Sequence, residues 1–172
     1  MNRLFIAFFT VLTIVFATGE KAFKHEKNIL TVLNEYMSSV DNKDIDAMLN
    51  HLTIPIDLHF GSGRVVTVRS DDELKNIFQN WKNSPRSNFN STVLRTVSVE
   101  ETGIVNNMLA VADITYDRLD KDGNTIKTER ALYHFVKGSG YYAKPLKFIW
   151  ALSTRWARDW KIYMISNIDT EK

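Results

Sequence analysis

Three residues combine the types that acid–base chemistry needs: Asp113, Arg130 and His134. They lie on either side of Asp120-Lys121-Asp122-Gly123-Asn124. Its Asp-Gly pair supplies the positive φ angles of a tight hairpin. If that turn is symmetric about Asp122-Gly123, opposing residue numbers sum to 245. Asp113 then faces Leu132, Thr115 faces Arg130 and Val111 faces His134. Side chains alternate along a strand, so all six share one side of the sheet. A carboxylate, a guanidinium and an imidazole among Leu109, Val111, Leu132 and Val136 can divide the work of a general acid and base. The carboxylate takes a proton from a carbon acid, and its neighbours set its pKa. The same residues also fit a cross-strand ion pair, Asp113 with Arg130, beside a core or edge histidine. A one-residue slip at the turn would split the trio.

Three further residues are candidates for ligand contact. Arg95 is expected on the same side as Val93, Val97 and Val99, as a pocket charge or a rim residue. Tyr36 and Trp81 lie on apolar helix stripes, which serve either a core or a ligand. His51, at the end of a helix, suits the free carbonyls there. No metal site is expected. Asp57-x-His59 offers two ligands on one strand face, which is short of a coordination set. The 120–124 turn has its glycine too early for a calcium loop and lacks the closing glutamate. There is no HExxH, no G-x-S-x-G, no phosphate loop and no dinucleotide fingerprint. No cofactor is expected.

These residues need elements to hold them. Ile29, Leu33, Tyr36, Met37 and Val40 form one apolar helical face, which Asp41-Asn42-Lys43 interrupts. Asp44 then caps a second helix with the stripe Ile45, Met48, Leu49 and Leu52, and Ile54-Pro55 ends it. A short strand pair follows: Ile56 to Phe60, a Gly61-Ser62-Gly63 turn, and Arg64 to Arg69. Ser70-Asp71-Asp72-Glu73 is a capping box, followed by Leu74, Ile77, Phe78 and Trp81 at helical spacing. Asn83-Ser84-Pro85 ends that helix. Four strands complete the pattern: Thr92 to Glu100, Ile104 to Leu119, Thr125 to Lys137 and Trp160 to Ile168.

Helical hairpin, strand pair, capped helix and long antiparallel sheet, in that order, resemble the nuclear transport factor 2-like superfamily, with its SnoaL-like and ketosteroid isomerase-like members. The residues that carry the resemblance are Tyr36 to Leu52, Ser70 to Trp81, Arg130 to Val136 and the closing Asp159-Trp160-Lys161-Ile162. It covers residues 25–137 and 159–168. The resemblance implies an α+β fold, cone-shaped, with N-terminal helices packed on a curved, mainly antiparallel sheet and a pocket at the wide end. It also implies a homodimer formed through the sheet. One departure is the segment 138–158, rich in aromatic and basic residues, where the family usually has a short turn. It reads as an element packed on the sheet or pocket mouth, as a partner contact, or as a membrane-surface helix.

Composition sets the compartment. Met1-Asn2-Arg3, the apolar run Leu4 to Phe16, and Ala17-Thr18-Gly19 match a signal peptide of residues 1–19, cut before Glu20. Beside the surface-helix reading of 138–158, an uncleaved anchor would be the route to a membrane. The run is shorter than the about 20 apolar residues of a span. The formal charge is +2, and removal of Arg3 lowers it by one, too little for nucleic acid. With no cysteine, an exported chain has no disulfides and depends on its core. Residues 20–172 are expected to be one domain. Three readings remain. The first is a secreted or periplasmic domain that binds a small organic molecule in an apolar pocket. The second is a metal-free acid–base isomerase, cyclase or dehydratase. The third is a protein-interaction module.

Overall fold

The computed structural model describes residues 29–101, 109–137 and 160–168. The signal segment 1–19, the insertion 138–158 and the turn after Glu101 lie outside them. Residues 29–41 are helical (α1) and bury Ile29, Leu33, Tyr36, Met37 and Val40, the expected stripe. The interruption is a tight turn. The amides of Asn42, Lys43 and Asp44 donate back to the carbonyls of Ser38, Val40 and Ser39, and Lys43 takes φ 54°. The Asp44 carboxylate accepts from the Ala47 amide at 3.0 Å and starts α2, Ile45–Leu49.

Here the structure corrects the sequence pattern. Helix α2 does not reach Leu52, which instead opens strand β1, Leu52–His59. Leu52 pairs with Ile162 in parallel fashion, so its burial serves a strand. Pro55 sits where the β1–β6 register slips between Leu52 and Asp57, a gap in which its missing N–H breaks no ladder. Strand β2, Val65–Val68, returns antiparallel to β1. Helix α3, Asp71–Lys82, begins as expected: Ser70 Oγ accepts from the Glu73 amide at 3.2 Å, and Glu73 accepts from the Arg69 amide at 3.0 Å. It buries Leu74 and Phe78.

The long strands are β3, Ser91–Glu101; β4, Leu109–Leu119; β5, Thr125–Lys137; and β6, Trp160–Ile168. The described strands form one sheet in the order β2-β1-β6-β5-β4-β3, antiparallel except where β1 meets β6. The β4–β5 register keeps Asp113 opposite Leu132, Thr115 opposite Arg130 and Val111 opposite His134. The alternation decides the layers. Ala110, Ala112, Ile114 and Tyr116 on β4, and Ala131, Tyr133 and Phe135 on β5, are buried with the helical stripes in one cluster. That is the inner face; the residues between them form the outer face. The result is an α+β fold with helices packed on one side of a curved, mainly antiparallel sheet.

Candidate functional site

The trio stays together but on the outer face. Asp113 and Arg130 make a two-point ion pair, Nε at 2.9 Å and Nη2 at 2.6 Å, with side chains 34% and 46% exposed. The bidentate guanidinium holds the Asp113 carboxyl below its usual range, against the smaller opposing effect of burial. His134, along β5 on the same face, sits edge-on to Tyr163 with ring centroids 6.0 Å apart. Partial burial, and after it the nearby His59, lower its pKa, so the imidazole is neutral at neutral pH. Ser98, Glu100, Val111, Asp113 and Leu132 line a shallow depression of about 160 Å³ on this face. The expected setting differs. The apolar core lies behind the other half of the alternation, where Ala112 and Ile114 flank Asp113 with their side chains inward.

Arg95 is also on the outer face, for a reason periodicity does not carry. The β3–β4 register slips between Leu94 and Thr96, so Arg95 is an extra, bulged residue. The bulge keeps Arg95 on the side of Val93 and sends Val97 and Val99 to the other, correcting the expected common face. Arg95 reaches Asp117 with Nε at 2.6 Å and with Nη2. Asp117 is 2% exposed and also accepts from the hydroxyls of Thr128, at 2.7 Å, and Thr125, at 3.3 Å. Arg95 itself stays open to solvent.

On the inner face the sheet places a group that the sequence reading did not single out. Tyr116 stands opposite Glu129, and Arg118 lies next to it on the same side. Arg118, with a side chain 12% exposed, pairs with Glu129 at 3.3 Å and Asp41 at 3.7 Å and donates to Thr92 Oγ1. Its guanidinium lies 4.1 Å from the centroid of Phe89 and 4.6 Å from that of Tyr116. Lys43 Nζ covers Phe89 at 3.7 Å and donates to the carbonyls of Asp41 and Phe89. The left-handed turn at Lys43 thus joins the helical hairpin to the start of β3. Thr92 ties the same corner together, its amide and hydroxyl both donating to Asp41.

Three phenols adjoin this corner. Tyr36 packs edge-on against Tyr133 with centroids 5.8 Å apart. Burial pushes the Tyr116 hydroxyl up to about 12 and raises those of Tyr36 and Tyr133 well above the usual phenol value, so all three are protonated donors at neutral pH. Trp81 is partly buried and packs against Phe89 at 6.2 Å. Of the residues expected to touch ligand, Tyr36 and Trp81 are therefore on the helix side, and Arg95 is not. The rule that placed Asp113 opposite Leu132 also places Tyr116 opposite Glu129, so part of this group was open to the same arithmetic. The link to Asp41 and Phe89, distant in sequence, was not. His51 sits beside Tyr36, its Nδ1 4.0 Å from Glu35, and burial lowers its pKa. No group of three or more metal-ligating side chains occurs among the described residues.

No family model and no curated protein matches the sequence. Solved structures do. A nuclear transport factor 2-like protein with a cystatin-like fold, from Novosphingobium aromaticivorans, is 10% identical over 91% of this chain and 88% of its own, with a TM-score of 0.58. Two other proteins of that organism also match. One, provisionally assigned as an aromatic ring hydroxylase, is 16% identical over 87% of this chain and 92% of its own, TM-score 0.59. The other, provisionally assigned as a scytalone dehydratase, is 10% identical over 87% and 86%, TM-score 0.55. At such identities the likeness is one of fold.

Proposed function

We propose that this chain, which has the nuclear transport factor 2-like cone fold, is an exported protein that binds a small organic molecule on the helix side of its sheet, against Tyr36, Tyr116, Tyr133 and Trp81. The observation that carries this reading is the set of three protonated phenols beside Arg118 and Glu129 in an otherwise apolar core. Arg118 and Lys127 engage Glu129, and Arg118 and Lys43 lie beside Asp41, so both carboxylates are compensated and the phenols are left to a neutral ligand. An apolar body would lie on the aromatic side chains, and an acceptor oxygen would take a phenol hydrogen bond. The test is a fluorescence titration with prodan, a neutral naphthyl ketone whose emission shifts to the blue out of water. The expected result is a saturable blue shift, weakened several-fold in Tyr36→Phe and Tyr133→Phe at unchanged stability. No shift, or equal binding by both variants, overturns the reading.

An acid–base enzyme of the isomerase, cyclase or dehydratase kind is the second reading, favoured by the enzyme assignments of two structural neighbours. If the outer-face trio carries it, the roles follow from the ion pair. Asp113 is committed to Arg130 and is a weak base, so His134, neutral at neutral pH, takes the proton and the pair orients the substrate.

A further inference from the structure

We propose that Lys43 captures an aldehyde or ketone as an imine, at the corner where the turn between α1 and α2 meets the start of β3. This rests on the ligand reading above and deepens it by naming the ligand class, a neutral aromatic carbonyl compound. Among the described residues Lys43 is the one non-glycine residue at positive φ, 54°. A side chain there carries a cost that glycine would avoid, so the position is held against its backbone preference. What the turn fixes is a direction. The Lys43 side chain reaches the segment before β3 and lays Nζ 3.7 Å from the centroid of Phe89. Arg118 lies against the same ring at 4.1 Å, and Trp81 packs on it at 6.2 Å.

Two properties of this spot suit a nucleophile. The first is electrostatic. Burial, with help from Arg118 and against the opposing effect of Asp41, holds the Lys43 ammonium below its usual range. More of it is therefore free amine than on an exposed lysine, and a cation beside a desolvated lysine is a known way to activate one. The Asp41 carboxylate is taken by Thr92 and Arg118, and Asp41 offers Lys43 its carbonyl instead. Lys82 of α3 adds a further positive charge, its Nζ donating to the Lys43 carbonyl at 3.0 Å. The second property is a seat for the product. In the reaction the Nζ lone pair forms a C–N bond as the carbonyl π electrons move to oxygen. Both amine protons pass to that oxygen, which leaves as water when the C–O bond breaks, so no oxidant or reductant is needed. Protonated, the imine is a cation with one N–H. It keeps the place over the Phe89 ring and one of the two hydrogen bonds that Nζ now makes, to the carbonyls of Phe89 at 2.8 Å and Asp41 at 3.0 Å. The aromatic body of the ligand then lies along Phe89 and Trp81.

The test is reductive trapping of the exported chain with 2-naphthaldehyde and cyanoborohydride at neutral pH, read by peptide mass mapping at early times. The expected result is a naphthylmethyl group on Lys43, appearing about tenfold faster than on the exposed Lys75 and Lys121 and slowed by excess prodan. Lys43→Arg keeps a cation and its donors on Phe89 but is no nucleophile. That variant is expected to lose the fast site while Lys75 and Lys121 react as before. Equal rates at all three lysines overturn the inference; where prodan has bound, they overturn it alone and leave the ligand reading standing. Fast trapping at Lys43 that bound prodan does not slow overturns it too, since the nucleophile then lies apart from the ligand. With no prodan binding, the ligand reading falls first and this one with it.

Discussion

Asp113 and Asp117 share a strand face and a chemistry, a carboxylate gripped by an arginine from a neighbouring strand, but their surroundings set different consequences. Asp113 and Arg130 face solvent, so their bond competes with water and adds little to stability. Asp117 is buried and held by the Arg95 guanidinium and two threonine hydroxyls. Asp117→Ala is therefore expected to lower the thermal midpoint clearly more than Asp113→Ala, and an equal effect would show that burial contributes nothing. Both carboxyls are held below their usual range, so both stabilise the folded chain above that range and lose the contribution as pH falls through their lowered values. His51 and His134, also lowered, favour the fold while neutral, and their contribution fades from about pH 6.5 downward. A plot of midpoint against pH should thus decline in two stages on acidification, and His134→Gln should flatten the upper one. The pairing of Asp113 with Arg130 was legible because the register counted out from the Asp-Gly turn holds along the ladder, although the turn itself pairs Leu119 with Thr125 and only a register shift between Arg118 and Leu119 restores the expected partners. Their outer-face position was not. Charged residues alternate with small apolar ones on both strands, and only the helices decide which half of an alternation is covered.

Among the elements, α3 was the most legible, because its capping box and apolar spacing agree. Ser70→Ala removes the acceptor for the Glu73 amide and is expected to cost about 1 kcal/mol, read from the denaturant midpoint. Phe78 is the aromatic this helix buries, so Phe78→Ala should cost about 3–5 kcal/mol. Trp81, on the same stripe but only partly covered, should cost less on truncation, and a larger loss for Trp81→Ala would place it in the core after all. The second helix and the first strand were harder. Leu52 satisfies a helical stripe and a strand equally well, and what settles it is a parallel partner more than a hundred residues on, Ile162. The bulge at Arg95 has no local signature either: no glycine marks it, and it exists in the match between two strands.

At the scale of the whole molecule, element order carried the fold class, while the corner proposed to take a ligand depends on contacts between its distant parts: Asp41 after α1, Phe89 before β3, and Arg118 and Glu129 near the β4–β5 turn. No helix among the described residues is long and apolar enough to cross a membrane. For the proposed export, mass spectrometry of the protein recovered outside the cytoplasm should find Glu20 at its N-terminus. An intact Met1 in a membrane fraction would replace secretion with anchoring.

The order β2-β1-β6-β5-β4-β3 puts the last strand made between one of the first and one of the middle ones. On the ribosome, β3, β4 and β5 can zip as a meander and β1 and β2 as a hairpin, yet the two halves have no common ladder until residues 160–168 have emerged. Until then β1 and β5 both present open edges, and the inner face is split in two. The sheet is therefore completed only once residues 160–168 have been made. A version ending before Trp160 should stay divided, sensitive to protease and prone to join its neighbours by the strands it cannot close.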